Sequence, residues 1–351
     1  MKRVVMMVIS FMSIIGIGLV IQANSSYFYS EPVMKIDEAT IVGDSQIITG
    51  HLINESSDEK IELEEVFYKT EPINPKYHQG EQLILKRVGM GWQVSSLKRD
   101  GYVFILLGLF AWTVLAVGGK KGITSLIGVI CNSVLLIALL AVNQHNRSYS
   151  LIALMSVYAI LAVLIAFGLS YGIKRIDIRK ITATLCSVFL AFLICVIAMS
   201  FLDDSGLHFE QMSYITRAYR AVFLGSLLIG ALGASMDNVV VIISSLDEIK
   251  KKNKDLDSKA LVASGKKIAQ DTSSSMINVL LFAYLSGTLP VFVFYLANGW
   301  EFGQSIGLFL SLEILRTICG AFAIVLSIPI SLLIFSLTDK WMSEKKAGRL
   351  S

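Results

Sequence analysis

Apolar residues run in long, nearly uninterrupted blocks at about 4–22, 102–119, 122–142, 150–171, 181–202, 219–245, 276–297 and 305–336, with short polar stretches between most of them. Blocks of this length match the roughly 20 residues that a helix needs to cross about 30 Å of hydrocarbon. A backbone inside lipid has no water to bond, so such blocks are expected to be helices, whose polar groups pair internally. Between residues 24 and 100 the pattern changes. Gln46 to Ile53, Lys60 to Thr70 and Gln82 to Val88 alternate or run with β-branched and aromatic residues, and polar turns such as His78-Gln79-Gly80-Glu81 separate them. The expected fold is an α-helical polytopic membrane bundle of about eight transmembrane helices with a small extracytoplasmic β-rich domain, a barrel or sandwich. The expected division is an N-terminal transmembrane anchor at 1–23, the β-rich domain at 24–100, a seven-helix bundle at 101–340 and a basic tail at 341–351. Ile21-Gln22-Ala23 also resembles a signal-peptide ending, but the first block is longer than the usual signal core, which favours an anchor.

Composition agrees with this reading: 54% of residues are hydrophobic, only 17% are charged and the mean hydropathy is +0.65, which excludes ordinary soluble packing. The placement of charge sets orientation. Lys2 and Arg3 precede the first block, and Lys120, Lys121, Arg179, Lys180, the run Lys250 to Lys267 and the basic tail fall on one side under strict alternation, with Arg147 and Arg217 as the chief exceptions. The excess of basic residues in cytoplasmic loops then puts both termini in the cytoplasm and residues 24–100 outside. The cysteines, Cys131, Cys186, Cys195 and Cys319, all lie in apolar blocks without zinc or redox spacing and read as core residues. Phosphate-loop, His-Glu-x-x-His and Gly-x-Ser-x-Gly patterns are absent, so no enzyme activity, cofactor or metal site is expected. Orientation accounts for the basic residues, so no nucleic-acid partner is expected either.

Ionisable residues inside apolar blocks are costly unless paired or wetted, which makes them the first candidates for function. In the sixth block Gly225, Gly230, Gly233 and Ala234 offer a surface for close helix packing, and Asp237-Asn238 follow. Asp237 has no opposite charge within one turn and must find Arg316, a polar neighbour such as Asn132 or Asn278, water or a proton. Glu313 and Arg316 stand three residues apart in the eighth block, on one helical face, where they can pair. These four residues, Asp237, Asn238, Glu313 and Arg316, are the candidate proton or ion pathway. After the Lys250 to Lys254 run, Asp257-Ser258 open a stretch in which Leu261, Ser264 and Ile268 repeat at helical spacing. This spacing suggests a basic amphipathic helix on anionic lipid, while a solvated basic loop that sets topology is the reading ranked above it; Asp271 to Ser275 are expected to cap the next span. The expected partners are the bilayer, anionic lipid at Lys250–Lys267, and an open place for an oligomer or a membrane partner subunit.

Four local stretches carry a family resemblance: Gly230-Ala231-Leu232-Gly233-Ala234-Ser235-Met236-Asp237, Gly265 to Asp271, Leu281 to Pro290, and Glu313-Ile314-Leu315-Arg316-Thr317 through Ile328-Pro329-Ile330. Over about residues 100–340 the chain resembles the YibE/F-like family of bacterial polytopic membrane proteins. The resemblance implies a bacterial cytoplasmic membrane and assigns no chemistry. The order of parts, a small-residue span ending in an acid, a basic connector and a capped span, is also similar to a segment of resistance-nodulation-division permeases and preprotein-export subunits. The lone acid Asp237 within an apolar block, set beside that order of parts, makes the expected function a transporter or export subunit, proton-coupled through Asp237; the alternative is a membrane scaffold or sensor whose outer domain binds a ligand or partner.

Overall fold

The computed structural model of the protein describes residues 2–24, 29–54, 60–68, 75–89, 91–146, 149–172, 176–212, 218–253 and 258–347. Thr70, Arg147, Arg217, Lys254, Asp257 and residues 348–351 lie outside the described residues. The chain forms two compact units, Met1–Leu126 and Ile127–Ser351.

The first unit holds α1 (Lys2–Ala23), strands β1 (Val33–Val42), β2 (Ser45–Leu52), β3 (Lys60–Val66), β4 (Gln82–Val88) and β5 (Gly91–Leu97), and the beginning of α2 (Asp100–His145). Strands β2, β3 and β4 fall where alternation placed them, while β1 and β5 add to that expectation. The strands form one antiparallel sheet in the order β3-β2-β1-β4-β5, neither a barrel nor a two-sheet sandwich. The reason is local. Only Val33 to Lys35 of β1 pair with β4, and register shifts at Ile36/Glu38 and Ile84/Leu85 bend the strands. A single bent face can then gather Met34, Ile36, Ile48, Leu63, Tyr77, Leu83 and Leu85 into one core without a second layer.

Glycines bring α1 and the start of α2 together in opposite directions: a Cβ on Gly18 would stand 2.2 Å from Ile105 and one on Gly108 2.5 Å from Ile14. The missing side chains at these crossings let the two helices approach closely enough for dispersion contacts along their length. Lys98 fixes the end of α1. Its Nζ donates to the carbonyls of Ile21 at 2.9 Å and Gln22 at 2.7 Å and lies 3.3 Å from Asp100, so a cation satisfies the unpaired C-terminal carbonyls.

Among the described residues seven helices are long and apolar enough to cross a membrane, against the eight blocks of the sequence. The difference lies in α2. A straight helix of its 46 residues would be about 69 Å long, but Gly119 interrupts it with φ 54° and ψ −129°, a conformation for glycine alone. Beyond this break the Gly122 Cβ position falls 2.4 Å from the carbonyl oxygen of Val114, whereas eight residues of straight helix would separate them by about 12 Å. The chain therefore doubles back, and 100–118 and 120–145 are two apolar segments.

The second unit contains the rest of α2 with α3 (Leu151–Tyr171), α4 (Ile178–Phe201), α5 (Tyr219–Lys252), α6 (Ser258–Ala297), the short α7 (Phe302–Ser305) and α8 (Ser311–Ala347). A π-helical turn, Ile306–Leu310, joins α7 to α8. Helix α5 is the axis, packed against α3, α4, α6 and α8, with Phe223, Leu227, Leu228, Ile242 and Ile243 fully buried. The amphipathic helix expected to lie apart on the leaflet is instead the first part of α6. No proline interrupts residues 258–289, and Leu261, Gly265 and Ala269 face Leu246 of α5 and Leu332 of α8, so Asp271 to Ser275 continue a helix rather than cap one. Residues 341–347, expected in the tail, likewise continue α8.

Candidate functional site on the central helix

Polar side chains recur along α5, and Ser226, Ser235, Asn238, Ser244, Asp247 and Lys250 among them are answered by neighbouring helices. Near its start, Ser226 Oγ accepts from Arg316 Nη2 at 3.4 Å. Arg316 Nη1 donates to Glu313 Oε2, so the pair expected from the three-residue spacing forms. The guanidinium also lies 5.6 Å from the ring centroids of both Phe223 and Tyr284, an arrangement that offsets desolvation through the ring quadrupoles. Tyr284 reaches this position because Gly230 has no side chain: a Cβ there would meet the phenol oxygen at 2.1 Å. The π-helical turn just before Glu313 marks the same end of the unit, and π turns are frequent at functional sites.

About two turns farther along, near 10 Å from Gly230, two successive residues part company. Asn238 is fully buried. Its Nδ2 donates to the Ile324 carbonyl at 3.0 Å and to Ser327 Oγ at 2.7 Å, and its Oδ1 accepts from Ser273 Oγ at 3.3 Å. Asn238 thus pins α5 to α6 and α8, and its polar atoms are occupied by packing. Asp237 points the other way, onto the exposed face of the unit. Its carboxylate meets no hydrogen-bond donor or cation among the described residues. It opens into a cavity of about 230 Å³ lined by Gly233, Ala234, Ser275, Met276, Val279, Leu280 and Ile324. Arg316 is engaged with Glu313 and does not answer Asp237.

The small residues accordingly divide into two groups. Gly225, whose Cβ position lies 3.1 Å from Met155, and Gly230 permit close contacts, as expected. Gly233 faces open space and, with Ala234, forms the wall of the Asp237 cavity rather than a helix-packing seam.

Toward the C-terminal end of α5 lies a cluster that sequence reasoning assigned only to loop charge. Arg179 donates to both Asp247 oxygens, at 3.1 and 2.8 Å, and to both Asp177 oxygens at 2.9 Å, tying α4 to α5. Lys180 Nζ donates to Ser244 Oγ at 2.8 Å and sits 4.4 Å from the Tyr171 ring centroid, and Lys250 pairs with Asp339 of α8. The sequence signal for this layer was present in the acids Asp177 and Asp247 beside the basic runs, but nothing in their spacing joined separate helices.

A family profile described as YibE/F-like protein matches residues 106–340. No curated protein and no solved structure matches the chain.

Proposed function

The chain belongs to the YibE/F-like family, and from that footing we propose that it is a multi-pass protein of the bacterial cytoplasmic membrane that works as a transporter or export subunit, with Asp237 carrying the coupling proton. In this reading both termini are cytoplasmic, the sheet is extracytoplasmic, and the exposed lysines from Lys250 to Lys267 meet anionic lipid. One observation carries the proposal: an unpaired carboxylate, midway along a 34-residue helix, opens into a cavity while every neighbouring charged layer is neutralised within itself. A carboxylate at such depth costs about 2.5–3.5 kcal/mol on insertion scales. Taking up a proton or meeting water removes that cost, and alternation between the two states is what a proton carrier requires.

The Arg316 layer and the Arg179 layer lie to either side of Asp237 along α5, two ion-paired levels between which the carboxylate faces its cavity. The test is proton entry into vesicles containing the full-length protein and an internal pH-sensitive dye. With an imposed proton gradient, wild type should acidify the lumen faster than Asp237→Asn, which should match protein-free vesicles. Equal rates for wild type and the variant would remove the coupling role.

A second reading, a scaffold or sensor acting through the sheet domain, is favoured by a different observation. Ile41, Val42, Val66 and Tyr68 are exposed, and a cavity of about 370 Å³ opens between Ile41, Gly43, Asp44, Phe67 and Lys76. Exposed apolar residues grouped beside a cavity suit recognition of a ligand or partner. Deleting these side chains would abolish a sensor's output and leave Asp237-dependent proton entry intact.

A further inference from the structure

A cavity of about 480 Å³ opens in the first unit where α1 ends, β4 begins and β5 runs into α2. Backbone bonds set its wall. The Gly80 amide donates to the Ile36 carbonyl at 2.9 Å, the Ile36 amide to the Glu81 carbonyl at 2.9 Å, and the Lys98 amide to the Gln82 carbonyl at 2.8 Å, which holds residues 80–82 against β1 and the end of β5. Lys98 also lines the cavity, but its Nζ is engaged by the Ile21 and Gln22 carbonyls and by Asp100. Three other groups on the wall have capacity left. Arg99 is exposed and has no ion-pair partner among the described residues. Glu81 Oε2 accepts from the His78 amide at 2.9 Å, and a carboxylate has further lone pairs to offer. Gln22 Nε2 donates to the Lys98 carbonyl at 3.2 Å, which leaves the buried Gln22 Oε1 without a donor.

A free cation, a carboxylate and an unanswered amide oxygen on one cavity wall fit a ligand that carries both an anion and a primary ammonium. The cavity also has an apolar edge. Leu19 and Tyr102 line it and are exposed, and Met12, seven residues before Leu19, and Leu106, four after Tyr102, continue that side of α1 and α2 away from the sheet as exposed apolar surface. We propose that the cavity is a headgroup site for phosphatidylethanolamine, with the phosphate on Arg99, the ammonium on Glu81 and Gln22, and the acyl chains along Leu19, Met12 and Leu106. Tyr102 belongs at this level, since an aromatic ring with a polar tip favours the membrane–water boundary. Phosphatidylcholine has the same charges, but its trimethylated nitrogen donates no hydrogen bond, and phosphatidylglycerol has no cation, so Glu81 and Gln22 select against both. The inference rests on the reading that α1 and α2 cross a membrane and takes nothing from Asp237 or from transport.

The test uses the full chain. Flotation with vesicles reports membrane insertion by itself. Native mass spectrometry from detergent containing equal amounts of phosphatidylethanolamine, phosphatidylcholine and phosphatidylglycerol should then show one phosphatidylethanolamine held per chain, about tenfold or more tighter than the other two, as expected for a charge-assisted hydrogen bond. Arg99→Gln and Glu81→Gln should each weaken retention about tenfold. Gln22→Leu should narrow the preference over phosphatidylcholine, and Lys86→Gln, exposed on β4 and outside the cavity, should change nothing. Glycerophosphoethanolamine, the same headgroup without chains, should displace the lipid only at about 100-fold excess or more. Equal retention of the three lipids by wild type, a comparison that does not depend on any variant folding, would overturn the proposal. Full retention by the Glu81→Gln, Arg99→Gln double variant, or displacement by an equal amount of the soluble headgroup, would do the same. Flotation with equal retention removes the lipid site alone, whereas failure to float removes the membrane reading beneath it.

Discussion

Removing the charge of Arg316 should cost more stability than removing both members of its pair. Arg316 and Glu313 are only 17% and 14% exposed at their side chains, and Glu313 has no other cation among the described residues. Arg316→Met keeps most of the side-chain volume between Phe223 and Tyr284 but strands the carboxylate, and breaking a buried pair in this way costs about 3–5 kcal/mol. In the double variant Glu313→Leu, Arg316→Met the stranded charge is gone. What remains is the loss of two cation–ring contacts, worth together about 1–2 kcal/mol, against relief of the desolvation of two ions, so the double variant should lie within about 1 kcal/mol of wild type. For a unit of this size the single variant should melt roughly 6–20 °C lower. Thermal unfolding in detergent, followed by a thiol-reactive dye that reaches the buried Cys195 and Cys319 only on opening, measures the difference. A single variant as stable as the double would refute the reasoning, because it would mean that Glu313 finds solvent or another partner when Arg316 is lost.

Glycine substitutions separate packing from cavity. Gly230→Ala should lower the melting temperature and displace Tyr284 from Arg316, whereas Gly233→Ala, which meets open space, should leave stability within about 0.5 kcal/mol; equal effects in the same dye assay would contradict the division. Asn238→Leu removes three hydrogen bonds between α5, α6 and α8. At about 0.6 kcal/mol each in a membrane setting, the loss should be about 2 kcal/mol, and an unchanged melt would show that the amide is not a structural pin. Lys98→Met should loosen the end of α1, seen as faster amide exchange at residues 21–24, because the Ile21 and Gln22 carbonyls lose their donor; unchanged exchange would show that water caps the helix equally well.

The parts of the fold that were legible in the sequence are those decided by short-range periodicity. Apolar blocks located every long helix, and the three-residue spacing of Glu313 and Arg316 located their pair, because both depend on helix geometry alone. Length patterns could not distinguish a tight reversal from a loop at Gly119, since the two apolar segments meet through a single glycine conformation. The basic stretch after Lys250 is ambiguous in the sequence for a related reason. Its Leu261, Gly265 and Ala269 have amphipathic spacing whether the buried side faces lipid or protein, and only the presence of Leu246 and Leu332 decides in favour of protein. The link from Asp177 and Arg179 to Asp247 is not legible because Asp247 comes from a different helix, and a positive-inside reading already accounts for the arginine.

Asp237 and Asn238 set a cavity-facing carboxylate and a buried structural amide at adjacent positions of one helix. Successive residues on a helix point about 100° apart, so the amide turns into the α6–α8 contact while the carboxylate turns outward to the cavity. Because Asn238 bonds the Ile324 carbonyl, and Ile324 also lines the cavity, the pin fixes the wall against which the acid stands. Gly233 and Ala234, one turn earlier, keep the approach to Asp237 open, since larger side chains there would fill the space the cavity occupies. A carboxylate placed only for packing would be expected to find a partner, as Glu313 and Asp247 do. Asp237 instead has a rigid wall, small neighbours and no counter-ion among the described residues, the arrangement that leaves its charge free to be set by a proton or a cation arriving from outside the helix bundle.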